Sequence, residues 1–259
     1  MKAFGLDVGH LALRVFARDF LAWTKYAKAS AVGNFGEPLL FLLAMGYGVG
    51  RFVTDATLGV SYAEFVGAGL ICSTAMYTAT FECTFGTYTR LESQRTFDAI
   101  LATPVSSDEI VAGELLFAAT KSTIGSAVVL IVLLCFGLVS SPLALLALPA
   151  VFVASITFAG LSIIVAALSN SYEFFSYYFT LVAAPMFLFS GVFFPVESLS
   201  AGMQAFAWCL PLTPVVDLVR GLVLDRPTSR IWIDLVYLIV LGAAVFRIAC
   251  WLFRRRLIK

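Results

Sequence analysis

Apolar runs long enough to cross a bilayer alternate along this chain with short polar intervals that hold most of its charge. From Ser122 to Tyr172 there is no Asp, Glu, Lys or Arg. The turn signal inside that stretch is Ser140-Ser141-Pro142, which divides it into two segments, each with the roughly 20 apolar residues that a crossing needs. Further uncharged stretches run from Phe174 to Val196 and from Phe65 to Phe81, and near-uncharged ones precede Arg51 and follow Ile231. The pattern predicts an all-α polytopic membrane protein with six spanning helices, at about 30–50, 62–87, 108–139, 143–168, 173–195 and 231–253.

Three elements between the spans have helical periodicity but are too polar or too short to cross. In residues 11–30, Leu13, Phe16, Phe20, Trp23 and Ala27 fall on one face and Arg14, Arg18, Lys25 and Lys28 on another, which predicts an amphipathic helix lying in the membrane interface. In residues 89–103, Phe97, Ile100 and Leu101 share a face, Arg90, Glu92, Arg95 and Asp98 supply charge, and Pro104 stops the helix. Ser106-Ser107-Asp108-Glu109 then offers a capping box for the next helix. A connector that only joined two spans needs about four to six residues, so an amphipathic helix here suggests a binding partner. Residues 197–224 on the opposite side combine Met203, Phe206, Ala207 and Leu210 at helical spacing with breaks at Pro211 and Pro214, which reads as external re-entrant helices before the last span.

Composition narrows the class. The chain has 259 residues, 61% hydrophobic and 13% charged, against roughly 45–50% and about 25% in soluble domains. Six spans use about 120 residues, which excludes a large catalytic head. Six spans also put both termini on one side, together with Lys2, Arg14, Arg18, Lys25, Lys28, Arg90, Arg95, Arg254, Arg255, Arg256 and Lys259. The other side has Arg51, Arg220, Arg226 and Arg230. The bias predicts cytoplasmic termini, with Lys121 and Arg247 snorkelling to the inner face. The net charge of +1 points to no nucleic-acid partner, and no secretory signal peptide is evident. Cys72, Cys83, Cys135 and Cys250 fall within spans and Cys209 outside, so they read as packing residues. The single histidine, His10, has no ligand-spaced partner for a metal.

The stretch Arg95-Thr-Phe-Asp-Ala-Ile-Leu-Ala-Thr-Pro-Val-Ser-Ser-Asp-Glu-Ile-Val-Ala-Gly-Glu114 resembles a signature region of ABC-2-type exporter permeases. Phe189-Ser-Gly-Val-Phe-Phe-Pro-Val-Glu-Ser-Leu, with Leu210-Pro-Leu-Thr-Pro-Val-Val-Asp-Leu-Val-Arg-Gly-Leu222, resembles a second. The resemblance covers nearly the whole chain, so 1–259 reads as a single permease domain. Within the family it looks most like the nodulation protein J group, associated with export of lipo-chitooligosaccharide signals. It implies a homodimer working with two copies of a separate ATP-binding subunit. ATP and Mg belong to that subunit, and this chain carries no cofactor. In accord, no G-x-x-x-x-G-K-[ST] phosphate loop occurs, and Gly46-Tyr-Gly-Val-Gly-Arg51 lacks both its spacing and its lysine. The resemblance also makes residues from about Arg90 to Leu101 the coupling helix that enters a cleft of the ATPase.

The candidate coupling residues are Phe97 and Ile100 as apolar contacts, with Arg90, Glu92 and Arg95 as polar ones. Charges within spans cost on the order of 2.5–3.5 kcal/mol at mid-bilayer, which makes Glu37, Glu82, Glu114 and Lys121 candidates for a transport pathway. Glu114 and Lys121 lie about two helical turns apart and share a face. Tyr177 and Tyr178, in an aromatic run, suit stacking on a glycan as well as an interfacial belt. No residue is assigned a catalytic role. A drug or antibiotic exporter of the same family shares all these features, whereas a membrane-embedded lipid- or glycan-modifying enzyme needs paired His, Asp or Glu within reach of its substrate.

Overall fold

The computed structural model describes residues 7–27, 36, 38–53, 59–226 and 230–257, and every regular element among them is helical. Glu37 and part of the first predicted span lie outside the described residues, as do Lys2, Lys28 and Lys259. The chain begins with α1 (Ala12–Thr24), then a short apolar helix α2 (Pro38–Arg51) and α3 (Tyr62–Phe81). Two π-helical turns, Glu82–Gly86 and Thr89–Ser93, extend α3. After the break at Gln94 and Arg95 come α4 (Thr96–Leu101), α5 (Ser107–Cys135) and α6 (Pro142–Leu168). The chain then forms α7 (Glu173–Phe189), α8 (Ala201–Cys209), α9 (Leu212–Val223) and α10 (Ile231–Leu257).

Helices α5, α6 and α10 are each long and apolar enough to cross a membrane, and the bent pair α8–α9 adds a fourth if it counts as one span. Six spans were expected. The difference has a physical basis: α2 and α7 are shorter than the roughly 20 residues of a straight crossing, while α3 has the length but carries Glu64 and several Gly, Ser and Thr residues that lower its hydropathy. The pair α8–α9 bends by 89°. Its break falls at Leu210-Pro211, where Thr213 Oγ1 donates to the Ala207 carbonyl at 2.5 Å. Pro214 stands inside the first turn of α9, where its missing N–H costs nothing, so it breaks no helix as the sequence pattern had suggested.

Caps and turns follow the sequence. Ser106 and Glu109 form a reciprocal capping box on α5, as Ser61 and Glu64 do on α3. Ser141 caps the turn that opens α6 by accepting from the Leu143 amide at 3.1 Å. Packing relies on close approach at glycines, as is common in membrane bundles. A Cβ on Gly160 of α6 would lie 2.7 Å from Val245 Cγ1 of α10, and one on Gly67 of α3 would lie 2.5 Å from Leu133 Cδ2 of α5. The core forms where α3, α5 and α6 meet, while α10 leaves Trp232, Ile233, Val236, Ile239 and Val240 exposed. That outward apolar stripe suits lipid contact.

Helix α1 packs on α5 through a face that includes Trp23 from the apolar face read from the sequence but is otherwise displaced from it. Ala12, Val15, Asp19 and Trp23 are buried, whereas Leu13 is exposed. The contact sits at Gly113, where a Cβ would come within 2.5 Å of Val15 Cβ and 2.8 Å of the Ala12 carbonyl. Leu13, Ala17 and Leu21 form a second, exposed stripe, free to enter the lipid interface.

Candidate functional site

Where the extended α3 passes α5 and α1, six charged side chains form a ladder of alternating sign. Lys121 Nζ donates to Glu82 Oε2 at 2.7 Å, and Arg90 Nη2 bridges Glu82 Oε1 at 2.9 Å and Glu114 Oε2 at 2.6 Å. Arg18 Nη2 reaches Glu114 Oε1 at 3.5 Å and Asp19 Oδ1 at 2.5 Å. Thr87 Oγ1 adds a hydrogen bond to Glu114 Oε2 at 2.7 Å. Three cations thus meet three carboxylates, and each buried charge has an opposite neighbour, the condition under which burial is tolerated. The π turn at Glu82–Gly86 contributes here. Gly86 lies so close that a Cβ would sit 2.6 Å from Glu82 Oε1.

Asp19, like Arg18, is supplied by α1, outside the spans. Burial first, and then the neighbouring Glu114 carboxylate, pushes its carboxyl up to about 7, against the smaller opposing pull of Arg90 and Arg18. Its buried Oδ2 has no hydrogen-bond partner among the described residues, a surrounding that suits a protonated carboxyl.

The connector between α3 and α5 turns at Arg95, whose φ of 52° is left-handed for a non-glycine residue. Helix α4 therefore begins at Thr96, and Thr89–Ser93 belongs to the extension of α3, so the predicted helix at 89–103 is two elements rather than one. Phe97 is fully buried and meets Phe253 edge-on at 5.5 Å. Ile100 is half-buried. The exposed pair Arg95–Asp98, at 3.7 Å, stands at the corner. Glu92 pairs with Arg256 at 2.8 Å. Beside them a cleft of about 430 Å³ is lined by Leu91, Glu92, Arg95, Asp98, Asn170 and Arg256, with Leu257 at its end.

A second cavity, of about 540 Å³, opens between α2, α3, α5 and α7. Phe41, Tyr77, Phe81 and Phe187 line it together with Ser73, Thr74, Thr78 and Lys121. Apolar walls with a few directed polar groups are the usual form of a small-molecule site.

Of the predicted pathway residues, the ladder brings Glu82, Glu114 and Lys121 together, and Lys121 also reaches the larger cavity. Tyr177 is exposed and Tyr178 buried, and neither lines that cavity; the rings that do are on α2, α3 and α7. Of the predicted coupling residues, Arg95 is exposed and Glu92 partly so, whereas Arg90 and Phe97 are turned inward. Both positions have a physical cause. Arg90 has two carboxylates within reach, and the Phe97 ring packs edge-on against Phe253 of α10.

Sequence reasoning missed Asp19, Thr87, Arg254 and Arg256 as site residues. Asp19 left a signal, because it falls on the same helical face as Ala12, Val15 and Trp23, an acid on an apolar stripe. Thr87 and the tail arginines left none, since their partners come from elements distant in sequence. Among the described residues no group of three or more His, Cys, Asp or Glu is placed to hold a metal ion.

Residues 11–224 match the family model described as ABC-2 type transporter. The chain is similar to nodulation protein J of Rhizobium leguminosarum bv. viciae, 37% identical over 247 residues that cover 95% of each chain. It is 38% identical to nodulation protein J of Rhizobium meliloti (strain 1021) over 245 residues, 95% of this chain and 93% of that one. The protein of the same name from Azorhizobium caulinodans is 30% identical over 220 residues, 84% and 85% of the two chains.

Proposed function

This chain belongs to the ABC-2 type transporter family, and on that premise we propose that it is the permease of an ATP-driven exporter moving a lipo-oligosaccharide or related glycolipid out of the cytoplasm. The observation that carries the reading is similarity over nearly the full length to proteins named nodulation protein J, in a chain without a phosphate-binding loop. ATP and Mg then bind a separate subunit, present in two copies, and two copies of this chain enclose the pathway. The chain crosses the bacterial inner membrane six times with both termini in the cytoplasm, which the Lys/Arg bias supports.

In this reading the ATPase meets the corner at Arg95 and Asp98 and the cleft beside it, while Arg90 and Phe97 act from inside by fixing the segment that carries that corner. Closure of the ATPase pair moves this segment and α1, and the nucleotide state must favour one arrangement over the other for the pathway to switch. The cavity of about 540 Å³ supports an amphipathic cargo, since aromatic rings accept sugar faces and acyl chains while hydroxyls accept or donate hydrogen bonds.

Co-expression with a candidate ATP-binding subunit tests the reading. The expected result is copurification, ATPase stimulation by glycolipid but not by a drug panel, and loss of both on charge reversal at Arg95 and Asp98. Stimulation by drugs alone identifies the drug-exporter alternative, and unchanged assembly after charge reversal removes the corner as the docking surface.

A further inference from the structure

The last turn of α10 carries Arg254-Arg255-Arg256, a cluster whose evident role is to keep the terminus cytoplasmic through its charge. The three side chains nevertheless go to different places. Arg255 is exposed and lies over the Trp251 ring at 4.0 Å. Arg254 turns inward to Asp108 at 2.5 Å, at the start of α5, where Asp108 also accepts from the Asp7 amide at 3.0 Å.

Arg256 is more heavily engaged. Its Nη2 donates to Glu92 Oε1 at 2.8 Å, just before the corner that begins α4. Its Nη1 donates to the carbonyls of Ala167, at 2.8 Å, and of Ser169, with that of Ala166 at 3.4 Å. These carbonyls end α6 and have no partners within that helix, so a cation there also answers the negative end of the helix dipole. The guanidinium carbon stands 5.7 Å from the Tyr88 ring. One side chain therefore joins three elements: the extension of α3, the end of α6 and the end of α10. One turn earlier, Phe253 packs on Phe97 of α4.

We propose that Arg256 is a positioning residue for coupling: its planar fork clamps the segment from Tyr88 to Leu101 to the end of α6, so that a push on the segment is passed into the bundle instead of being lost as local movement. The proposal rests on the function proposed above for that segment. It separates from a role in topology by geometry alone. Lysine keeps the charge that orients the terminus, but a single ammonium cannot span Glu92 and the α6 carbonyls as a rigid two-armed guanidinium does.

The test uses the full chain in lipid nanodiscs with Cys135 and Cys209 replaced by serine and spin labels at Asp98→Cys and Asn170→Cys, on opposite sides of the cleft. Arg256→Lys is expected to broaden the label-to-label distance distribution at least about twofold, because the two-armed clamp is lost, while Arg255→Gln leaves it unchanged. An unchanged width in Arg256→Lys overturns the proposal, as does equal broadening in Arg255→Gln. In the assembled exporter without labels, Arg256→Lys should lower the amount of glycolipid exported per ATP hydrolysed with copurification of the ATPase intact. A fall in export that only tracks a fall in copurification overturns the positioning role. If the unaltered chain recruits no ATPase, the function proposed above fails, while the distance measurement still decides whether Arg256 holds the segment.

Discussion

Arg90 and Lys121 both serve Glu82, but the consequences of removing them differ. Arg90 also serves Glu114, whose side chain is fully buried, so Arg90→Met leaves two carboxylates short of a partner and should cost about 3–5 kcal/mol. Lys121→Met leaves Glu82 still paired with Arg90 and should cost distinctly less. Thermal unfolding of the two variants in one detergent ranks them, and the reverse order counts against the ladder. Asp19 adds a pH dependence. Its carboxyl, raised to about 7 in the fold from the ordinary 3.8, binds a proton in the folded chain that the unfolded chain has released. Stability from this group is therefore present below about pH 4 and is lost as pH rises through about 7. Asp19→Asn should remove that slope, narrowing the difference in unfolding temperature between pH 5 and pH 8. An unchanged difference would show that Asp19 is not the titrating group.

Among elements, the contact of α1 with α5 is the most sensitive to a small change. At Gly113 even a methyl group would meet Val15 Cβ and the Ala12 backbone, and backbone yields less readily than a side-chain tip. Gly113→Ala should cost about 1–3 kcal/mol as overpacking and increase protease cleavage within residues 7–27. Retained protection would mean that α1 shifts without loss of contact. Much at this scale was legible beforehand. The capping box at Ser106 and the turn at Ser141-Pro142 are local patterns whose chemistry acts within a few residues. The π turns were not legible, because they alter hydrogen bonding by one residue without altering the apolar pattern. The corner at Arg95 was hidden too, since arginine carries no preference for a left-handed backbone.

For the whole molecule, charge and hydropathy predict six spans and cytoplasmic termini, whereas among the described residues three helices, or four if the bent α8–α9 pair counts as one span, are long and apolar enough to cross. Single cysteines at Arg226 and Arg255, in chains lacking exposed native cysteines, test the orientation. A membrane-impermeant thiol reagent applied to intact cells should label position 226 and spare position 255. Labelling of the opposite pattern inverts the topology and removes the Arg95 corner from the reach of a cytoplasmic ATPase.

The sequence by itself determined that the chain lives in a bilayer and where helices such as α3, α5 and α10 begin. Each depends on hydrophobic transfer, capping or turn chemistry, and those act over one helix or less. Only the tertiary structure decided where the charges point. Arg90, Arg254 and Arg256 looked like surface cations from their neighbours in sequence. Each is drawn inward by a carboxylate from a distant element, because a buried charge in a low-dielectric interior must take the partner that packing brings within reach.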